Sequence, residues 1–114
     1  MRAVMCLTSR GSLFLIMDIK EICAKALERF GIVAQMDMMQ EEMDELGVAL
    51  SHYKRGRAKE EDVITEIADV LIVALQMAIY FGKDEVDAEI NRKLARLEGV
   101  IAKDEFNGKE YYGG

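Results

Sequence analysis

A chain of 114 residues, 51% of them hydrophobic, suffices for one compact domain with a small core, and so short a chain gains from association with copies of itself. Fifteen basic against 21 acidic residues leave a net charge of −6, and no basic cluster is longer than "KRGR" (Lys54 to Arg57), which argues against nucleic acid or an anionic membrane as the partner. Cys6 and Cys23 have neither metal-ligand spacing nor a disulfide framework, which fits a reducing cytoplasm, and a lone His52 excludes a His-rich metal site.

The N-terminal stretch "MRAVMCLTSRGSLFLIM" carries two arginines and a short apolar run, Leu13 to Met17, too short for a signal peptide and followed by no small-residue cleavage site. Met17 before Asp18 reads as a second start, so residues 1–16 are expected to be an extension outside the working fold, residues 17–102 a helical domain and residues 103–114 a tail. There is no proline, and Gly31, Gly56 and Gly82 stand where helices would end. Four helices are expected. The first begins at an Asp18 N-cap with Glu21 closing a capping box and runs through Ile22, Cys23, Ala26, Leu27 and Phe30. The second spans about Ile32 to Tyr53, the third about Glu60 to Phe81 and the fourth about Asp84 to Ala102. In the last, Val86, Ile90, Leu94, Leu97 and Ile101 recur at helical period. The apolar run Val70 to Phe81, interrupted by Gln76, falls short of the roughly 20 residues of a membrane span.

The second helix raises the chemical question. In "QEEMDEL", Gln40 to Leu46, four carboxylates occupy five positions. A helical turn of about 100° per residue gathers Met39, Met43, Leu46, Ala49, Leu50 and Tyr53 on one arc. Glu42 falls inside that arc, Glu45 at its edge, Glu41 further round and Asp44 on the side of water. An isolated buried carboxylate costs several kcal/mol unless it is paired, neutralised or bound to a metal. The third helix repeats the anomaly: Asp62, Glu66, Asp69, Gln76 and Tyr80 form a narrow polar stripe on an otherwise apolar cylinder. Such a helix belongs at the centre of a core or an oligomer. If the two helices pack antiparallel, Glu42 and Glu45 stand roughly 14 to 18 Å from the connecting turn and Glu66 and Asp69 roughly 9 to 14 Å. The two pairs therefore face each other. Four carboxylates with no His or Lys on either stripe suit Mg²⁺ or Mn²⁺, and the lack of a Glu-x-x-His argues against a di-iron bundle. The competing account is a solvated acidic face.

The pattern "EEMDE" (Glu41 to Glu45) followed by "EIAD" (Glu66 to Asp69) resembles the paired acidic motif of the MazG-like, all-α nucleoside triphosphate pyrophosphohydrolases. "INRKLARL", Ile90 to Leu97, is similar to the Asn-x-Lys-x-x-Arg element of that family through Asn91, Lys93 and Arg96. The resemblance covers roughly Met17 to Ile101. It implies a four-helix-bundle-like protomer that assembles through its central helices, and Mg²⁺-dependent hydrolysis of a nucleoside triphosphate to the monophosphate and pyrophosphate. Glu42, Glu45, Glu66 and Asp69 are then metal ligands, Glu41 and Glu42 catalytic, and Lys93, Arg96 and Asn91 phosphate contacts. Lys93 and Arg96 also read as ordinary surface charges, with Glu89 paired to Lys93 at i, i+4 and Arg92 turned to solvent. His52 reads as a helix-end residue. The methionines read as core filler, although Met38 and Met39 flank Glu42 and suit an adaptable base pocket.

Two other readings stay open. Phosphoribosyl-ATP pyrophosphohydrolases share acidic motifs of this kind, although "MMQEE" lacks the Lys and Gly expected before their double Glu. A non-catalytic helical oligomer would use the apolar third helix for partners and leave the acidic stripe structural. The expected partners are the nucleoside triphosphate and a second copy, as homodimer or homotetramer, with no nucleic acid and no membrane, in the cytoplasm.

Overall fold

The computed structural model describes residues 12–103, with side chains from residue 19 onward. Its described residues form four helices and no strand: α1 (Ser12–Phe30), α2 (Ile32–Lys54), α3 (Glu60–Phe81) and α4 (Lys83–Ala102). The all-α class and the bounds of α2, α3 and α4 follow the sequence pattern to within a residue. They divide into two compact units, one ending at Tyr80 and one beginning at Phe81. That division falls inside the stretch 17–102 expected to be a single domain.

The start of the first helix needs correction. Asp18 is not an N-cap, because α1 begins at Ser12 and runs straight through it. No glycine or proline stands between Ser12 and Phe30, so the apolar run Leu13 to Met17 simply joins the helix that follows. Glu21, freed of any capping role, lies 3.7 Å from Lys25 one turn on. The expected boundary after residue 16 therefore falls inside α1. Cys6, the tail from residue 104 and its Gly108, Gly113 and Gly114 lie outside the described residues.

The breaks between helices have local causes. Gly31 (φ 88°) and Gly82 (φ 129°) adopt positive φ, which a side chain would resist, and each ends one helix as it starts the next. Between α2 and α3 the chain turns at Gly56 (φ 73°), with the amides of Arg55 and Arg57 both donating to the carbonyl of His52. The Asp62 carboxylate then accepts the Lys59 amide at 2.9 Å, and Glu60, Glu61 and Asp62 place negative charge at the positive end of α3.

In the first unit α1 adjoins α2, and the Cys23 thiol, fully buried, reaches the carbonyl of Ile72 on α3 at 3.6 Å. Helices α2 and α3 run antiparallel, since Gln35 near the start of α2 bonds Gln76 near the end of α3. The inward stripe of α2 is Ile32, Gln35, Met36, Met39, Glu42, Leu46 and Ala49. Met43, Leu50 and Tyr53, expected on that arc, are exposed. The helix is rolled toward Gln35 and Glu42, because its polar members are what meet α3.

The orientation of α3 is the unusual feature. Glu66, Asp69 and Gln76 are drawn inward, while Ile64, Ile67, Leu71 and Ile72 remain 42–63% exposed. At 22 residues, with a window of mean hydropathy 1.8, α3 is long and apolar enough to cross a membrane. The apolar run Val70 to Phe81, expected to fall short of a span, is only its second half.

The second unit is built on α4. Val86, Leu97 and Val100 are half-buried, whereas Ile90, Leu94 and Ile101 of the expected apolar face are exposed. Lys83 pairs with Asp87 at 2.8 Å across the first turn.

Candidate metal centre

Positions 42 and 45 on α2 are one helical turn apart and point to the same side, as are 66 and 69 on α3. Antiparallel packing brings the two pairs to one height. Carboxylate oxygens of Glu42, Glu45 and Glu66 lie within 4.8 Å of one another. Asp69, half-buried beside them, is outside that trio but close enough to repel both Glu42 and Glu66.

The electrostatics are those of concentrated negative charge. Glu42 is pushed up to about 7, first by its hydrogen bond with the Glu45 carboxyl, then by loss of water and by the charges of Asp69, Glu45 and Glu66. Glu66 is also raised, first by loss of water and then by Glu45, Asp69 and Asp62. One oxygen of Glu42 and one of Glu66 are buried with no hydrogen-bond partner. Among the described residues no ion pair reaches Glu42, Glu45, Glu66 or Asp69. Two orphaned buried oxygens in an all-carboxylate donor set fit a hard divalent cation, which would supply the missing partner and the missing charge together.

The trio opens onto a groove of about 420 Å³ at the turn between α2 and α3. Glu45 and Glu66 line its inner end, with Val48, Ala49 and Ala58 as an apolar floor and His52, Arg57 and Asp62 toward the turn. Asp44, on the water side as the helical period predicts, lies on its rim. His52 is thus both the helix-end residue expected from its position and a wall of this groove.

Glu41 is exposed and outside the trio. Asn91, Lys93 and Arg96 all lie on α4, in the second unit, and all are exposed. There Arg92 grips Glu89 through two nitrogens at 2.5 and 3.0 Å, and Lys93 approaches the same carboxylate at 4.0 Å. The ion-pair alternative for Lys93 is therefore present as a long contact, while Arg92, expected to face solvent, is the nearer partner of Glu89. Asn91 lines a shallow depression along α4 with Leu94 and Ile101. Met38 is exposed and Met39 half-buried on the flank of Glu42.

Two residues near the trio carry no signal in a motif search. Arg57 lines the groove from the turn, where the sequence offers only the basic cluster "KRGR". Gln35 is buried against Gln76, and the clue lay in spacing: Gln35 stands seven residues before Glu42 as Gln76 stands seven after Asp69. In comparisons with known proteins, no family model, no curated protein and no solved structure matches the chain.

Proposed function

We propose that this chain is a divalent-metal-dependent nucleoside triphosphate pyrophosphohydrolase of the MazG-like kind, releasing pyrophosphate and a nucleoside monophosphate. The observation that carries the reading is the carboxylate trio of Glu42, Glu45 and Glu66, with two buried unpartnered oxygens and, among the described residues, no ion pair to any of the three. Glu42, Glu45, Glu66 and the adjacent Asp69 would hold Mg²⁺ or Mn²⁺. When bound, such an ion neutralises the polyphosphate and activates water at neutral pH.

The chain's own residues have separable tasks. Glu41, next to the trio and open to solvent, orients the attacking water or takes its proton. The water oxygen bonds to the α phosphorus, the bond from that phosphorus to the bridging oxygen breaks, and the pair of electrons leaves with pyrophosphate. By resemblance to the family's Asn-x-Lys-x-x-Arg element, Lys93, Arg96 and Asn91 would bind phosphate through a flexible point charge, a planar fork and a neutral donor. For Lys93 this requires exchanging its long contact with Glu89 for phosphate, an easy exchange at an exposed pair. The cytoplasm and its nucleotide pool are the setting this chemistry implies.

A second reading, a non-catalytic helical oligomer, is favoured by the exposed Ile64, Ile67 and Leu71 on α3. The two are separated by pyrophosphate and phosphate release from a panel of ribo- and deoxyribonucleoside triphosphates and phosphoribosyl-ATP, with Mg²⁺, with Mn²⁺ and with EDTA. Metal-dependent pyrophosphate that disappears in Glu42→Gln supports the enzyme, and the preferred substrate distinguishes a general triphosphate hydrolase from a phosphoribosyl-ATP one. Inertness toward the whole panel leaves the oligomer.

A further inference from the structure

We propose that the buried Gln35–Gln76 amide pair fixes the rotation of α3 about its own axis and is thereby the positioning pair for the carboxylate trio. The need for such a device follows from how α3 is turned. Apart from its polar stripe the helix is apolar all round, and Ile64 at 50%, Leu71 at 63% and Ile72 at 46% exposure stand outside the packing that buries Val73 and Gln76. Burial of apolar surface alone favours the opposite rotation, which would cover these residues and return Glu66 and Asp69 to water. The observed rotation also incurs the mutual repulsion of the carboxylates. Something specific must oppose both.

The short turn from Arg55 to Lys59 limits how far the helices can slide but leaves each free to roll. A hydrogen bond between side chains at fixed angular positions does not. Gln35 and Gln76 are 7% and 5% exposed, and the Gln35 Nε2 donates to the Gln76 Oε1. Rolling α3 would leave two amides buried without partners, the costly outcome for a polar group. Seven residues are within about 20° of two full turns, so Gln35 points as Glu42 does and Gln76 as Asp69 does. Pairing the amides therefore turns both acidic faces toward each other. A single buried polar contact that selects one packing arrangement at a cost in stability is well attested between helices. The Cys23 thiol tethers α3 to α1 as well, but through a weak donor to a backbone carbonyl. A second copy lying on the apolar face would favour the same rotation, yet it cannot supply partners to two buried amides.

The consequence for metal binding rests on the function proposed above, whereas the rotation does not, and two readouts keep them apart. In the first, Mn²⁺ affinity is measured by electron paramagnetic resonance for the wild type, for Gln35→Met/Gln76→Met, and for Val73→Ala, a buried α3 position outside the groove, as a control that loosens the packing of the same helix. The double variant should keep its helical circular dichroism, unfold at or above the wild-type midpoint, and bind Mn²⁺ at least tenfold more weakly. The control should be less stable and bind as the wild type does. In the second, Glu66→Cys is placed in a chain whose Cys6 and Cys23 are alanine, and alkylation is timed with and without the double Met change. The thiol should react at least tenfold faster when the amides are gone. Equal alkylation rates would overturn the proposal, as would loss of helical structure in the double variant, since the pair would then hold the fold itself. A wild type that binds no Mn²⁺, together with the difference in alkylation, would sink the metal reading and leave the rotational lock standing.

Discussion

Glu42 concentrates the tension between folding and chemistry in this chain. Its carboxyl shares a hydrogen bond with Glu45, has lost water and stands among other acids, so it holds its proton up to about pH 7. The unfolded chain has no such neighbours and its Glu42 ionises in the ordinary range near 4.5. Between those two values the folded state binds more protons than the unfolded one, and stability falls as pH rises through the interval. The raised Glu66 carboxyl acts in the same direction. Metal-free protein kept in chelator should therefore melt at a higher temperature at pH 5 than at pH 8. A melting temperature that is flat or rises over that range would show that the acids do not face one another. Glu42→Gln removes the strained charge, so the metal-free variant should melt above the wild type at pH 8 while losing metal-dependent turnover.

At the scale of elements, α2 and α3 carry the account, and single-site changes at their contact are the sharpest probes. Gln35→Leu strands the Gln76 amide in the interior and should lower stability by about 1–3 kcal/mol, the usual penalty for an orphaned buried polar group. A urea titration showing no change would mean that the amides are solvated. The bounds of these helices were legible in the sequence because Gly31, Gly56 and Gly82 punctuate a chain without proline. The approach of Glu66 to Glu42 and Glu45 was legible too, since 1.5 Å per residue on either side of a short turn sets their heights, whereas Asp69 stands beside the trio and not within it. The start of α1 was misplaced because Asp18 and Glu21 satisfy a capping pattern that nothing in the preceding residues obliges the chain to use. The roll of α2 was hidden for a related reason. Hydrophobic periodicity centres an arc on Met43 and Leu50, whereas the stripe that packs is chosen partly by polar contacts, Gln35 with Gln76 above all. Such a pairing is between residues 41 apart and has no local signature.

For the whole molecule, composition set the frame: an acidic chain of 114 residues, all-helical among its described residues, whose most apolar helix leaves much of its apolar surface exposed. Contiguous exposed Ile64, Ile67 and Leu71 are the kind of patch that folded monomers seldom leave uncovered. We expect at least a homodimer, assembled through α3, with light scattering at micromolar concentration giving twice the chain mass or more and Leu71→Arg shifting it toward one. A wild-type monomer would contradict this. Gly82 alone marks where α3 gives way to α4, and neither composition nor period signalled that the described residues form two compact units.

The most direct test of the metal centre is calorimetric titration of the chelator-treated protein with Mg²⁺ at pH 6.5, in two buffers of different ionisation enthalpy. Below the raised Glu42 value the carboxyl is largely protonated, and a cation seated among Glu42, Glu45 and Glu66 must displace that proton. The expected result is saturable binding whose heat depends on the buffer, reporting proton release, and which is absent from Glu42→Gln. Saturable binding that survives in Glu42→Gln, or no binding at millimolar Mg²⁺, would contradict the account.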